Sequence, residues 1–192
     1  MRVALCVGHS RRGDNGAVAA DGSTQEWTFW RRVAHLAKRG RMAYDHQVAV
    51  YDVYAGRSYT EAMSDCAARV RDFNADCAIE LHFNAYNGIA QGREAFYWHS
   101  SPNGESLAKC ILEVQERRVA MEGGGFPFRG AKPATRDTRG AQFLRKTHCP
   151  AIIWEGWFGD NLQEWAFYSQ REDMVADILA ECICEWEPYI MT

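Results

Sequence analysis

The stretch Arg2-Val3-Ala4-Leu5-Cys6-Val7-Gly8-His9 decides the fold. From Arg2 to Val7 it is nearly all apolar, with no polar residue at every second place. Such a run suits a strand covered on both faces, as in a parallel sheet. The run stops at Gly8-His9, which leaves a polar side chain where the strand gives out. A Gly-rich polar loop follows to Ser23, and Thr24 to Arg39 then carries helical spacing through Trp27, Trp30, Val33, Ala34 and Ala37 before Gly40.

The same alternation continues along the chain. Gln47 to Val53 reads as a second strand, Tyr59 to Asn74 as a second helix and Cys77 to His82 as a third strand. Glu94 to Trp98 is a fourth strand and Asn103 to Val119 a third helix. Residues Glu122 to Arg139, with their glycines, prolines and arginines, are the least regular stretch. Ala151 to Trp154 is a late strand and Met174 to Trp186 a closing helix. The expected fold is therefore α/β, with a twisted, mostly parallel sheet flanked by helices. No repeat, linker or low-complexity tail divides the 192 residues, so one domain is expected over 1–192.

Composition narrows the function. The hydrophobic share of 47% and charged share of 24% are those of an ordinary globular protein. A formal net charge of −3, without a basic block, offers nothing to nucleic acid. Membrane insertion is not expected either, because no segment approaches the roughly 20 apolar residues that a span needs. Seven cysteines, an odd number with no CxxC pair, fit reduced thiols better than a disulfide framework. The N-terminus lacks the layout of a signal peptide, so synthesis in a cytoplasm is expected. The sequence leaves the oligomeric state open.

In open α/β sheets, ligands bind beyond the carboxyl ends of the strands. His9 follows the first strand, His82 closes the third, and Glu155 follows the late one. If these strands are parallel, the three residues share one rim. Two histidines and two carboxylates there, counting Glu26, suggest a metal hydrolase. Catalytic zinc takes three protein ligands and leaves a place for water, and a further carboxylate takes the proton of that water.

Each residue has a plainer reading. A histidine after a strand commonly serves as a hydrogen-bonded loop residue. Ser23-Thr24-Gln25-Glu26 fits a capping box, which on spacing alone is the simpler role for Glu26. Glu155 fits equally a buried bridge to Arg136 or Arg139. Other patterns carry less. His148-Cys149 runs into Pro150 and reads as a strand entry, and Gly123-Gly124-Gly125 reads as a loop flanking the groove. Cys182-Ile183-Cys184 reads as helix packing.

Four blocks together resemble the zinc-dependent N-acetylmuramoyl-L-alanine amidases of the type 3 group, found as bacterial autolysins and phage endolysins. They are Val7-Gly8-His9-Ser10 with Asp14-Asn15-Gly16-Ala17, then Gln25-Glu26, then Glu80-Leu81-His82-Phe83-Asn84-Ala85, and finally Pro150 to Phe158. The resemblance implies one zinc ion held by His9, Glu26 and His82, with Glu155 as the catalytic acid/base. It implies peptidoglycan as the partner, cut between N-acetylmuramic acid and L-alanine. Without a separate wall-binding domain in view, a phage-type or gene-transfer-particle endolysin released through a holin-opened membrane is expected. A mature exported autolysin is the alternative setting.

Departures from the pattern mark this chain. Ser10 replaces the usual second glycine, Glu80-Leu81-His82 replaces Ser-Ile-His, and Tyr54-Ala55-Gly56-Arg57 stands where the family has Thr-Arg. Period two puts Glu80 on the strand face of His82, as a partner able to orient the imidazole. Asn84 follows His82 closely enough to meet substrate, and Arg136 and Arg139 are candidates to meet stem-peptide carboxylates. Two rival functions keep the same residues: a zinc peptidase acting on free peptides, and a silent module that binds peptidoglycan without cutting it.

Overall fold

The chain is described by a computed structural model that covers residues 1–10 and 13–190. Six strands form one sheet: β1 (Arg2–Val7), β2 (Gln47–Tyr51), β3 (Cys77–Asn84), β4 (Arg93–Trp98), β5 (Phe128–Ala134) and β6 (Ala151–Phe158). The helices are α1 (Glu26–Arg39), α2 (Met42–Asp45), α3 (Tyr59–Asp72), α4 (Pro102–Met121), α5 (Gln142–Lys146), α6 (Leu162–Tyr168) and α7 (Glu172–Ile190). The strand order is β2-β1-β3-β6-β4-β5. The first four are mutually parallel, and β4 lies antiparallel against β6 with β5 parallel to β4. The expected α/β architecture therefore holds, with β4 and the edge strand β5 reversed.

The two faces of the sheet are built differently. Strand alternation sends Val3, Leu5, Val7, Ile79, Leu81, Phe83, Ile152 and Trp154 into one large core. There α1, α4 and α7 pack, α1 through Phe29, Trp30, Val33, Ala34 and Ala37 at helical spacing. Trp30, Trp154, Trp157, Phe29 and Trp165 meet edge-on or tilted with ring centroids 5.1–5.5 Å apart, and Trp157 stacks on Tyr168 at 4.2 Å. Buried aromatic pairs of this kind each add about 0.5–1.5 kcal/mol beyond the area they remove from water. The result is a stiff floor beneath the sheet.

The opposite face starts small and ends polar. Ala4, Cys6, Ala78 and Ala151 lie under α3 and α5. Further along the same strands come Glu80, His82 and Glu155, which no helix covers. A packed floor on one side and an open, polar half-face on the other is what places a site here.

Several boundaries differ from the sequence reading. The third strand runs on to Asn84 and the late strand to Phe158, so His82 and Glu155 lie within strands instead of at their ends. The irregular stretch contains β5, an edge strand that tolerates Pro133 because its outer side makes no ladder bonds. Gly123 to Gly125 end α4, with Gly124 against Phe167, and are not part of the wall of the site cavity. All seven cysteines are unbridged, and Cys182 is packed within α7 as read.

Candidate active site

Register aligns the polar residues in rows. His82 on β3 stands opposite Glu155 on β6, and Glu155 stands opposite Glu94 on β4. Glu80 pairs with Ile153 one step below, and Ile153 with Phe96. His9 comes to this row from the end of β1, in the left-handed region at φ 56°. A non-glycine residue is held there at a cost of about 1–3 kcal/mol and only by its surroundings. His9 Nδ1 lies 2.9 Å from Asp14 Oδ1, which fixes the ring from the loop side.

Glu26 opens α1, but the capping box read from the sequence is not formed. The N-cap is Gln25, which makes no side-chain cap, and the Ser23 hydroxyl donates to Asp21 instead. The Glu26 carboxylate turns away from its helix end. Oε1 accepts from the Phe83 amide at 3.1 Å and lies 2.9 Å from His82 Nδ1. Oε2 accepts from the Ala17 amide at 3.1 Å and lies 3.4 Å from His9 Nε2. One buried carboxylate thus joins both imidazoles, whose rings sit edge to face at 5.1 Å.

The ligand-type atoms of His9, Glu26 and His82 all lie within 4.8 Å of one another. Two glycines make this packing possible. A Cβ on Gly8 would fall 2.1 Å from His82 Cε1, and one on Gly16 would fall 2.6 Å from Glu26 Oε2. Gly16 also has φ +72°, which side chains rarely adopt. Two imidazoles with one carboxylate form a donor set suited to zinc, so these residues fit a metal ion by both chemistry and closeness.

Glu155 is the exception in the cluster. Its Oε2 is sealed from solvent and has no hydrogen-bond partner among the described residues. Among the described residues no arginine pairs with it, so the bridge to Arg136 or Arg139 is not made. Burial raises its pKa, His82 pulls it back, and the charges of Glu26, Glu94 and Glu80 add to the rise, leaving it at about 8. His82 behaves in the opposite sense. Burial opposes its charge, but the hydrogen bonds to Glu26 and Glu80, with the charges of Glu80 and Glu155, push its pKa well above the ordinary value.

The remaining sequence candidates divide. Glu80 is buried with Oε1 3.7 Å from His82 Nε2, on the side of the ring away from Glu26. Asn84 lines the cavity and donates to Glu94 Oε1 at 2.8 Å. Arg136 and Arg139 are both exposed, and of the two only Arg139 lines the cavity. Cys149 is no nucleophile, since burial pushes its thiol up to about 12.

Sequence reasoning passed over Glu94. It is buried beside Glu155 and accepts from Asn84, from Arg129 Nε at 3.0 Å and from Lys132. Burial would raise its pKa, yet the bonds from Lys132, Arg129 and Asn84 outweigh that and hold it low. Two acids side by side thus have opposed environments, one charged and paired, the other unpaired. The site opens into a cavity of about 730 Å³.

A His-Glu-His donor set beside an unpaired carboxylate, on the polar half-face of an α/β sheet, defines a hydrolytic centre. The family model for N-acetylmuramoyl-L-alanine amidase matches residues 3–185, and the chain belongs to that enzyme family. Solved structures agree on the fold. The CwlD amidase of Clostridioides difficile, solved in complex with the GerS lipoprotein, is 20% identical with a TM-score of 0.82, covering 98% of each chain. The catalytic domain of CwlV from Bacillus (Paenibacillus) polymyxa is 20% identical at 0.73, covering 98% of this chain and 99% of that one. The catalytic domain of the CD27L endolysin, which targets Clostridioides difficile, is 23% identical at 0.79, with 96% and 97% covered. No curated protein sequence matches the chain.

Proposed function

We propose that this enzyme hydrolyses the amide between the lactyl group of N-acetylmuramic acid and L-alanine in peptidoglycan, at one zinc ion held by His9, Glu26 and His82. The observation that carries the reading is the unpartnered Glu155 carboxylate beside that close donor set. Zinc, when bound, polarises the scissile carbonyl and makes water acidic enough to attack near neutral pH.

The chain's own residues do the rest. Glu155 accepts one proton from the attacking water and passes it to the alanine nitrogen as the C–N bond breaks, leaving a lactyl carboxylic acid and an amine, which at neutral pH become carboxylate and ammonium. A carboxyl whose pKa lies near the working pH can make both transfers. Asp14 orients His9 through Nδ1, and Glu80 faces His82 Nε2 while Glu26 lies at Nδ1. Glu94 keeps its own charge satisfied by Lys132 and Arg129, so it does not compete for the proton that Glu155 moves.

Gly8→Ala tests the packing behind this set. The new methyl cannot share space with the His82 ring. Zinc affinity, measured by competition with a chelating dye, is expected to fall by about ten- to a hundredfold, the usual effect of disturbing a ligand's support. Unchanged affinity would mean that His82 is not a ligand.

The substrate is tested with a muramoyl-L-alanyl peptide and the same peptide lacking the sugar. Cleavage of the first alone supports the amidase reading. Equal turnover of a peptide bond in the second would instead identify a peptidase of free peptides, and binding to sacculi without any cleavage would identify a silent module.

For the setting, we propose an endolysin made in the cytoplasm that reaches the wall when the membrane is opened. Seven unbridged thiols support synthesis in a reducing compartment. Among the described residues no helix is long and apolar enough to cross a membrane. Expression in a bacterial host should leave cells intact until a pore-forming protein is co-expressed. Lysis without one would favour the exported autolysin.

A further inference from the structure

The cavity is strongly acidic, with Asp14, Glu26, Glu80, Glu94 and Glu155 in its wall. Two nearby cations, Lys132 and Arg129, are already committed to Glu94. Arg139 is different. Its guanidinium belongs to a residue of the cavity wall, and among the described residues no carboxylate pairs with it. Other described arginines are committed to carboxylates, as Arg31 is to Asp52, Arg32 to Glu172, Arg93 to Glu116 and Arg171 to Glu122. An arginine left without a partner beside five acids of the same cavity is available to a ligand.

The loop that carries Arg139 is built, not loose. The Thr135 amide donates to Thr138 Oγ1 at 2.9 Å, and the Ala141 amide to the Thr138 carbonyl at 3.3 Å. The Tyr59 hydroxyl, at the start of α3, donates to the Gly140 carbonyl at 2.5 Å. Gly140 takes φ +83°, so the backbone turns directly after Arg139. Tyr59 and Gly140 both belong to the cavity wall. The loop is thereby tied to the start of α3 at the cavity wall.

From these contacts we infer that Arg139 is a specificity residue that reads a free carboxylate on the stem peptide, next to the alanine whose amide is cut. This rests on the amidase reading. In peptidoglycan the residue after L-alanine carries an α-carboxyl that is either free or converted to a carboxamide. A guanidinium fork accepts a carboxylate in bidentate fashion and gains much less from the neutral amide. The cavity's own acids would repel an anionic stem without this cation, so discrimination comes from Arg139 and not from overall charge.

The test uses two synthetic muramoyl peptides that differ only in carboxylate against carboxamide at that residue. Wild type is expected to favour the carboxylate by about tenfold in kcat/KM, the worth of one charged hydrogen-bonded contact. Arg139→Ala should lose that preference through KM with kcat little changed, and Arg139→Lys should keep part of it. Affinities of both peptides for Glu155→Gln protein, with and without Arg139→Ala, are measured alongside. Discrimination in binding without cleavage by wild type would keep this subsite and overturn the amidase reading. Equal binding of both peptides, or equal loss on both substrates in Arg139→Ala, would overturn the subsite.

Discussion

Glu155→Gln is expected to lower kcat by about 10²–10⁴-fold while leaving zinc content unchanged. The amide cannot take a proton from water, yet it is nearly isosteric and leaves the donor set alone. The same variant separates catalysis from stability. In the folded protein the Glu155 pKa stands at about 8, above the ordinary glutamate value, and burial is the main cause. Between those two pH values the folded state holds a proton that the unfolded chain has lost, so stability falls as pH rises through this window. Thermal melts of chelator-stripped protein should therefore show wild type losing ground to Glu155→Gln between pH 5 and pH 8.5. Parallel melting curves would mean that the carboxyl is not held protonated by its surroundings.

Glu26→Ala is expected to abolish zinc binding and with it all turnover. A helix cap at this position would cost only about 1 kcal/mol on removal and leave metal content intact. The geometry argues for the larger effect. Each carboxylate oxygen serves one backbone amide and one imidazole, so removal strips Phe83 and Ala17 of their acceptor and takes away the group that joins His9 to His82. Orphaned buried amides cost about 1–3 kcal/mol each. Glu26→Gln, which keeps an acceptor oxygen, should recover much of the stability but little of the metal. Zinc at one equivalent in Glu26→Ala protein, measured by elemental analysis, would return Glu26 to a structural role.

The parts legible in the sequence were those whose signal is local. The apolar run of β1, the helical spacing of α1 and the polar residues after strands all showed in short windows. Three features did not, each for a stated reason. The edge strand β5 alternates weakly and contains Gly130 and Pro133, which suit an edge but resemble a loop. The reversal of β4 against β6 has no local signature, so the pairing of Glu94 with Glu155 was not visible. The strand β6 runs on past Glu155 to Phe158 by carrying one extra residue against the step from His82 to Asn84, a bulge that a short sequence window does not show.

The site shows the same division. His9, Glu26, His82 and Glu155 could be named from four short blocks, and the fold brings all four together. The role of Glu26 could not be read from spacing, because Ser23-Thr24-Gln25-Glu26 satisfies the capping pattern on paper. What decides it is the loop from Asp14 to Gln25, pinned to α1 by Trp27 N to Asn15 O and Glu26 N to Ala17 O. That loop turns the carboxylate toward the sheet. Long-range packing, not sequence distance, sets which groups this side chain meets.

The measurement that bears most directly on the central claim is the chemistry of the ends released from purified sacculi, with chelator and with zinc restored. New alanine amino groups are expected, with no new reducing sugar ends, loss of release on chelation and its return with zinc. Ends other than alanine amines, or alanine release that survives complete removal of the metal, would contradict it.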